Sequence, residues 1–148
     1  MSRSGFMSAL LFACAFGCNS IQAQEASNSA RPIVVKEVLK TLTNDAGQSI
    51  RLPRGRLQLV VSTYDIPPGA KLPMHKHSYQ RYAYVLEGAL TVDQVGRGPR
   101  VYHAGEFVTE SVNRWHFGEN AGKEGVRLVI IDQLPPGKTS TILNQHKH

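Results

Sequence analysis

From Ile33 onward the chain alternates short apolar stretches with turn residues. Segments rich in Val, Ile, Leu and Tyr fall near 33–39, 57–66, 71–77, 80–87, 89–95, 100–103, 106–110, 114–119 and 126–133. Each reads as a strand, because runs of this length with β-branched and aromatic content suit a pleated chain whose side chains alternate faces. Asn44-Asp45-Ala46-Gly47, Pro67-Pro68-Gly69, Gly96-Arg97-Gly98-Pro99 and Glu119-Asn120-Ala121-Gly122 punctuate them as turns. Past the N-terminal run, no stretch of helical length carries a 3.6-residue period. Many short strands at this spacing predict an all-β sandwich or barrel. Residues 33–137 read as one domain, preceded by a flexible polar lead-in at 24–32 and followed by a polar tail at 138–148 that is expected to fray.

The N-terminus has a different character. Arg3 precedes an apolar run from Phe6 to Gly17, with Ile21 and Ala23 in the −3 and −1 places of a cleavage site. This is the anatomy of a signal peptide over 1–23, and the run is too short for a stable membrane span. It predicts an exported chain, periplasmic or secreted. A lipid anchor is the alternative, if processing occurs at Cys18 or Cys14. Cleavage after Ala23 leaves about 125 residues, the size of one domain. It also removes both cysteines, so the mature chain has neither a disulfide nor a thiol nucleophile, and packing must supply its stability.

Charge adds little. The whole chain carries a formal +6, and Arg3 is the only charged residue lost with the leader. The basic residues are scattered, apart from Arg51, Arg54 and Arg56, whereas nucleic-acid binders concentrate charge on one face with stacking aromatics. No nucleic-acid partner is expected. Ser-His-Asp hydrolysis finds no support either, since no Gly-x-Ser-x-Gly elbow is present.

The chemistry concentrates in three histidines. In His75-Lys76-His77 the two imidazoles share a face of a strand, because residues i and i+2 point the same way. His116, on another segment, can complete a three-nitrogen site for a transition metal. Neutral imidazoles suit Fe, Mn, Ni, Cu or Zn and do not choose among them. The competing reading makes the same histidines hydrogen-bonded polar residues inside a barrel. His103 is expected at the surface, and the second His-Lys-His, at 146–148, reads as a coincidence in the tail. Trp115 points away from His116 and is expected to pack, as are Tyr82 and Tyr84 with Leu86. Asn120 is expected to close a turn through its side chain.

The spacing around these residues resembles the cupin superfamily. The family's first motif runs Gly, five residues, His-x-His, three or four residues, Glu, six residues, Gly. Here Gly69, His75, His77 and Gly88 keep every interval, and Arg81 stands in the glutamate place. The second motif runs Gly, five residues, Pro-x-Gly, two residues, His, three residues, Asn. Gly105, His116 and Asn120 keep it, with Ser111 for Pro and Asn113 for Gly. The resemblance implies a double-stranded β-helix, or jelly-roll barrel. It also implies a divalent metal on His75, His77 and His116, although family members add the motif-one glutamate. Homodimerisation is plausible on the same grounds.

Arg81 is the main departure. A guanidinium stays charged and cannot ligate a metal, and by register it faces inward with Ala83 and Val85. Three outcomes stay open. Arg81 turns out to pair with Glu87 or Glu110, or it clamps the carboxylate of a metal-bound substrate, or the site binds metal weakly or not at all. The functional expectation is a metal-dependent, dioxygenase-like enzyme acting on a small organic molecule, anionic in the clamp reading. The alternatives are a periplasmic module that binds a metal or small ligand without turnover, and a scaffold with a vestigial pocket.

Overall fold

The structure, a computed structural model, describes residues 31–145. The expected signal peptide, both cysteines, most of the lead-in and the His146-Lys147-His148 tail lie outside the described residues. By its internal contacts the chain divides into Met1–Val34 and Val35–His148, and the second unit carries every described strand.

Among the described residues nine strands form: β1 Gln58–Ile66, β2 His75–His77, β3 Arg81–Glu87, β4 Ala89–Gln94, β5 Gly98–His103, β6 Phe107–Thr109, β7 His116–Glu119, β8 Val126–Leu134 and β9 Thr141–Leu143. They assemble into two antiparallel sheets, ordered β1-β8-β3-β6 and β5-β4-β7-β2-β9. No helix occurs among the described residues. This is the all-β sandwich expected from the alternating pattern, in the jelly-roll form that the resemblance implies.

The alternation builds the core directly. β8 turns Val126, Leu128, Ile130 and Leu134 inward, and β3 does the same with Ala83 and Val85. With Ile66, Leu90, Tyr102 and Val108, all of these but Leu134 make one apolar cluster. Each such side chain contributes roughly 1.5–3 kcal/mol by leaving water. Gly88 sits where β3 meets β4 at φ 75°, and a Cβ there would stand 2.5 Å from the Gly125 carbonyl oxygen, so the turn admits only glycine.

Two expectations fail. Residues 33–39 form no strand; Ile33, Val34 and Val35 are almost fully exposed. β-branched content alone does not make a strand where no neighbour supplies ladder hydrogen bonds. The tail expected to fray instead supplies β9. It pairs with β2 in the register His75↔Leu143, Lys76↔Ile142 and His77↔Thr141, and Asn144 N–H donates to the Met74 carbonyl at 2.9 Å. Without β9, the strand carrying two of the three histidines would be a sheet edge with unpaired backbone groups.

Candidate metal centre

β2 is short, but its position fixes its side chains. It lies between β7 and β9, so His75 and His77 face the interior while Lys76 faces out over the Trp115 ring at 4.8 Å. His75 and His116 are register partners across β2 and β7. The three imidazoles therefore converge, with ring centroids 4.5, 4.9 and 5.0 Å apart. All three are buried, His77 completely. The loop before β7 holds the position of a family glycine with Asn113 at φ 55°, a left-handed conformation that asparagine tolerates better than most residues. Its N–H donates to the His77 carbonyl at 2.8 Å.

A fourth side chain joins them. Glu110 follows β6, and its N–H donates to the Arg81 carbonyl at 3.0 Å. Its Oε2 lies 2.6 Å from His77 Nε2 and 3.1 Å from His116 Nε2. One ligand atom from each of His75, His77, Glu110 and His116 falls within 4.8 Å of the others, and these residues could hold a metal ion.

The hydrogen bonds around the cluster suit that role. His75 Nδ1 lies 2.7 Å from the Pro73 carbonyl oxygen, and His116 Nδ1 lies 2.9 Å from that of Arg114. A carbonyl oxygen only accepts, so each Nδ1 carries the hydrogen and each neutral ring presents the Nε2 lone pair. Outer partners of this kind orient histidine ligands of metals. A carboxylate oxygen facing such a lone pair is repelled unless a cation stands between them. A proton on His116 can serve. Burial lowers the pKa of that ring, but Glu110 outweighs burial and the net shift is upward. A divalent metal serves all the rings at once. His77 sharpens the point: its Nδ1 and Nε2 are buried with no hydrogen-bond partner, although Nε2 lies so close to Glu110. Burial raises the Glu110 pKa, yet His116 and His77 outweigh it and hold the carboxyl well below its ordinary range. His75 is depressed to about 4, chiefly by burial, and so stays a neutral donor.

Arg81 does not turn out toward Glu87. It is buried with Ala83 and Val85, as its register predicts, and forms a two-pronged pair with Asp132, Nε to Oδ1 at 2.9 Å and Nη2 to Oδ2 at 2.7 Å. Asp132 is its register partner on β8. The pairing expected with Glu110 is likewise replaced by this one, and Glu110 turns to the histidines.

Sequence reasoning therefore missed Glu110 as a candidate ligand and Asp132 as a partner. Among the other candidates, His103 is exposed and Trp115 half-buried. Asn120 donates to the Ile66 and Glu124 carbonyls at 2.9 and 2.7 Å, and so closes the expected turn. Tyr82 and Tyr84 pack about Phe107 on the outer side of β3, with ring centroids 6.0 and 6.1 Å away.

A cavity of about 310 Å³ opens beside the cluster, with Glu110 and His116 in its lining together with Val92, Gln94 and Tyr102. Asp45 closes one side. The Tyr102 hydroxyl donates to its Oδ2 at 2.5 Å and Thr109 donates to its Oδ1 at 2.9 Å. Arg97 and Arg100 also line the cavity, and both are exposed.

Residues 62–132 match the family model described as a cupin domain. No curated protein matches the sequence. Among solved structures, the oxalate decarboxylase of Lactobacillus farciminis in its formate complex is similar with a TM-score of 0.50 and 19% identity, covering 57% of this chain and 26% of that one. DMSP lyase DddQ from Ruegeria pomeroyi DSS-3 gives 0.51 and 19%, over 58% and 43%. An uncharacterized conserved protein with a double-stranded β-helix domain, from Klebsiella pneumoniae subsp. pneumoniae MGH 78578, gives 0.51 and 20%, over 65% and 90%. The chain covers less than half the length of the decarboxylase and of the lyase. At these identities the likeness is one of fold.

Proposed function

Residues 62–132 belong to the cupin superfamily, and from that premise we propose that the protein is a metal-dependent enzyme acting on a small organic anion. His75, His77, His116 and Glu110 hold one divalent first-row transition metal. The observation that carries this reading is the convergence of four ligand atoms within 4.8 Å, two of them on rings locked by backbone carbonyls. Nitrogen and carboxylate donors together suit Fe, Mn, Ni, Cu or Zn. Such a metal supplies Lewis acidity, and a redox-active one supplies an electron route to dioxygen.

The chain's own residues would do the rest. The 310 Å³ cavity gives substrate access to the Glu110 and His116 side of the centre. Arg97 and Arg100 at its edge draw an anion in, while Asp45 partly offsets them. Arg81 has its carboxylate partner in Asp132, so in this reading the substrate-holding role passes to the two rim arginines. The solved structures similar to this chain include enzymes named for oxalate and for sugar phosphate; a small anionic substrate agrees with both names. We also read residues 1–23 as an export signal, which sequencing the N-terminus of the mature chain tests.

The experiment is metal analysis of the purified mature chain, followed by oxygen uptake across a panel of organic acids, thiols and phenols. One metal per chain, lost in His77→Ala, is expected, with turnover of an acid. Tight metal without turnover of any compound would make the protein a binding module. Absence of stoichiometric metal under all loading conditions would refute the reading.

A further inference from the structure

The sandwich has two seams. One runs between β6 and β5 and leads to the cavity described above. The other lies between β1 and β9, the opposite edge strands of the two sheets. It opens into a separate cavity of about 470 Å³, within the roughly 300–1,000 Å³ range of small-molecule sites. None of the three histidines lines it.

Its lining is specific. One wall is the Arg81–Asp132 pair. Beside it lies Ser140, 4% exposed, whose hydroxyl has no hydrogen-bond partner. Lys138 stands at the solvent side, Val60, Leu134 and Leu143 supply an apolar wall, and Ser62, Thr139 and Thr141 add hydroxyl-bearing side chains to the lining. A buried hydroxyl without a partner carries a desolvation cost, of order 1–3 kcal/mol, that a ligand oxygen would remove. Among the described residues, only Nε and Nη2 of Arg81 make hydrogen bonds. Guanidinium has five N–H donors, so those of Nη1 are left.

We propose that the β1–β9 seam is a second binding site, for a small monocarboxylate with a short aliphatic body. The carboxylate takes Arg81 Nη1 and the Ser140 hydroxyl, with the Lys138 ammonium at the entrance. The aliphatic part lies along Val60, Leu134 and Leu143. Asp132 sets the charge selectivity. It already occupies the Nε–Nη2 edge of the guanidinium, and its own charge disfavours a dianion or phosphate more than a monoanion. The site stands whether or not the histidine cluster loads a metal, so the two readings fail separately.

The test is methyl and amide NMR of the full mature chain, zinc-loaded and chelator-treated, titrated with butyrate, with butyramide and succinate as comparisons. Saturable shifts at the Val60, Leu134 and Leu143 methyls and the Ser140 amide are expected in both forms, with butyramide and succinate bound at least about tenfold more weakly. Ser140→Ala should weaken butyrate binding roughly tenfold, as loss of a charge-assisted hydrogen bond does. Lys138→Ala, in an exposed loop and harmless to folding, should weaken it roughly twofold. Three results would each overturn the proposal. One is no shift at the three methyls, another is equal binding of butyramide, and the third is shifts confined to the neighbourhood of Glu110 and Tyr102.

Discussion

Removing the carboxylate of Asp132 should be among the costliest single changes in this protein. The Arg81–Asp132 pair makes two charge-assisted bonds of 2.9 and 2.7 Å, and its side chains are 9% and 7% exposed. In Asp132→Ala the guanidinium stays charged and stays inside. Breaking one partner of such a pair typically costs about 3–5 kcal/mol, because the remaining charge is uncompensated. Against a typical domain stability of about 5–15 kcal/mol, that is about a fifth or more of the total. At about 4 °C per kcal/mol for a domain near this size, the melting temperature should fall about 12–20 °C.

The same change should reach the metal centre. Arg81 also neighbours Glu110, whose N–H bonds the Arg81 carbonyl, and Glu110 is the nearest remaining carboxylate for a freed guanidinium. A new Arg81–Glu110 pair would draw the carboxylate from His77 and His116. Urea unfolding followed by the single tryptophan, Trp115, reads the stability, and competition with a chromogenic chelator reads zinc affinity. The double change Arg81→Met with Asp132→Leu removes both charges and should be close to neutral in stability. A loss below about 1 kcal/mol in Asp132→Ala would refute the argument, since it would mean the pair is solvated in a way its burial denies.

Glu110→Gln keeps the shape but removes the ligand charge, and zinc affinity should fall by more than the roughly 10–100-fold that loss of an outer hydrogen-bond partner costs; unchanged affinity in a chelator competition would exclude Glu110 as a ligand. Asn113→Ala should cost about 1 kcal/mol, because alanine resists φ 55°, whereas Asn113→Gly should be near neutral; equal urea midpoints for the two variants would contradict this. In metal-free protein, His75 has its pKa depressed by burial to about 4, so the stability it contributes as a neutral ring is present above its unfolded pKa of about 6.5. That stability is lost as pH falls from 6.5 through the folded value, and a urea midpoint flat across this window would show that the ring is not held neutral.

Period-two alternation made most of the sandwich legible. β1, β3, β4 and β8 lie close to where runs of Val, Ile, Leu and Tyr predict them. The three histidines were legible because their intervals carry a geometric meaning that survives without coordinates. The same alternation also contained Glu110 and Asp132. Val108 faces inward, so two residues on Glu110 follows it toward the interior, and Asp132 interrupts the inward apolar row of β8. Each is an acid on a buried stripe, which demands a partner. The partner could not be read, because cross-strand neighbours depend on sheet order. β3 lies between β8 and β6, and nothing in the linear order of nine short segments states that. β9 escaped for a related reason. Thr141-Ile142-Leu143 is too short to show a period, and its strand character comes from the open edge of β2.

The replacement of the family glutamate by Arg81 becomes coherent across one row of the first sheet. Val60 pairs with Asp132, Asp132 with Arg81, and Arg81 bonds through its carbonyl to Glu110. The inward side chains of that row therefore read apolar, negative, positive, negative. Neighbouring strands are roughly 5 Å apart. At an effective dielectric of about 20, each adjacent opposite pair attracts by roughly 3 kcal/mol, and the two carboxylates, two strands apart, repel by about half as much. The row is thus favourable only with a cation in its middle. A glutamate at position 81 would set three carboxylates side by side and drive at least one of them to accept a proton. The carboxylate beside the histidines stands one strand over from the family position, at the end of β6 and not on β3, and once it is there the middle position calls for a guanidinium. Arg81 thus follows from the placement of Glu110 and Asp132 and leaves the four candidate ligands together.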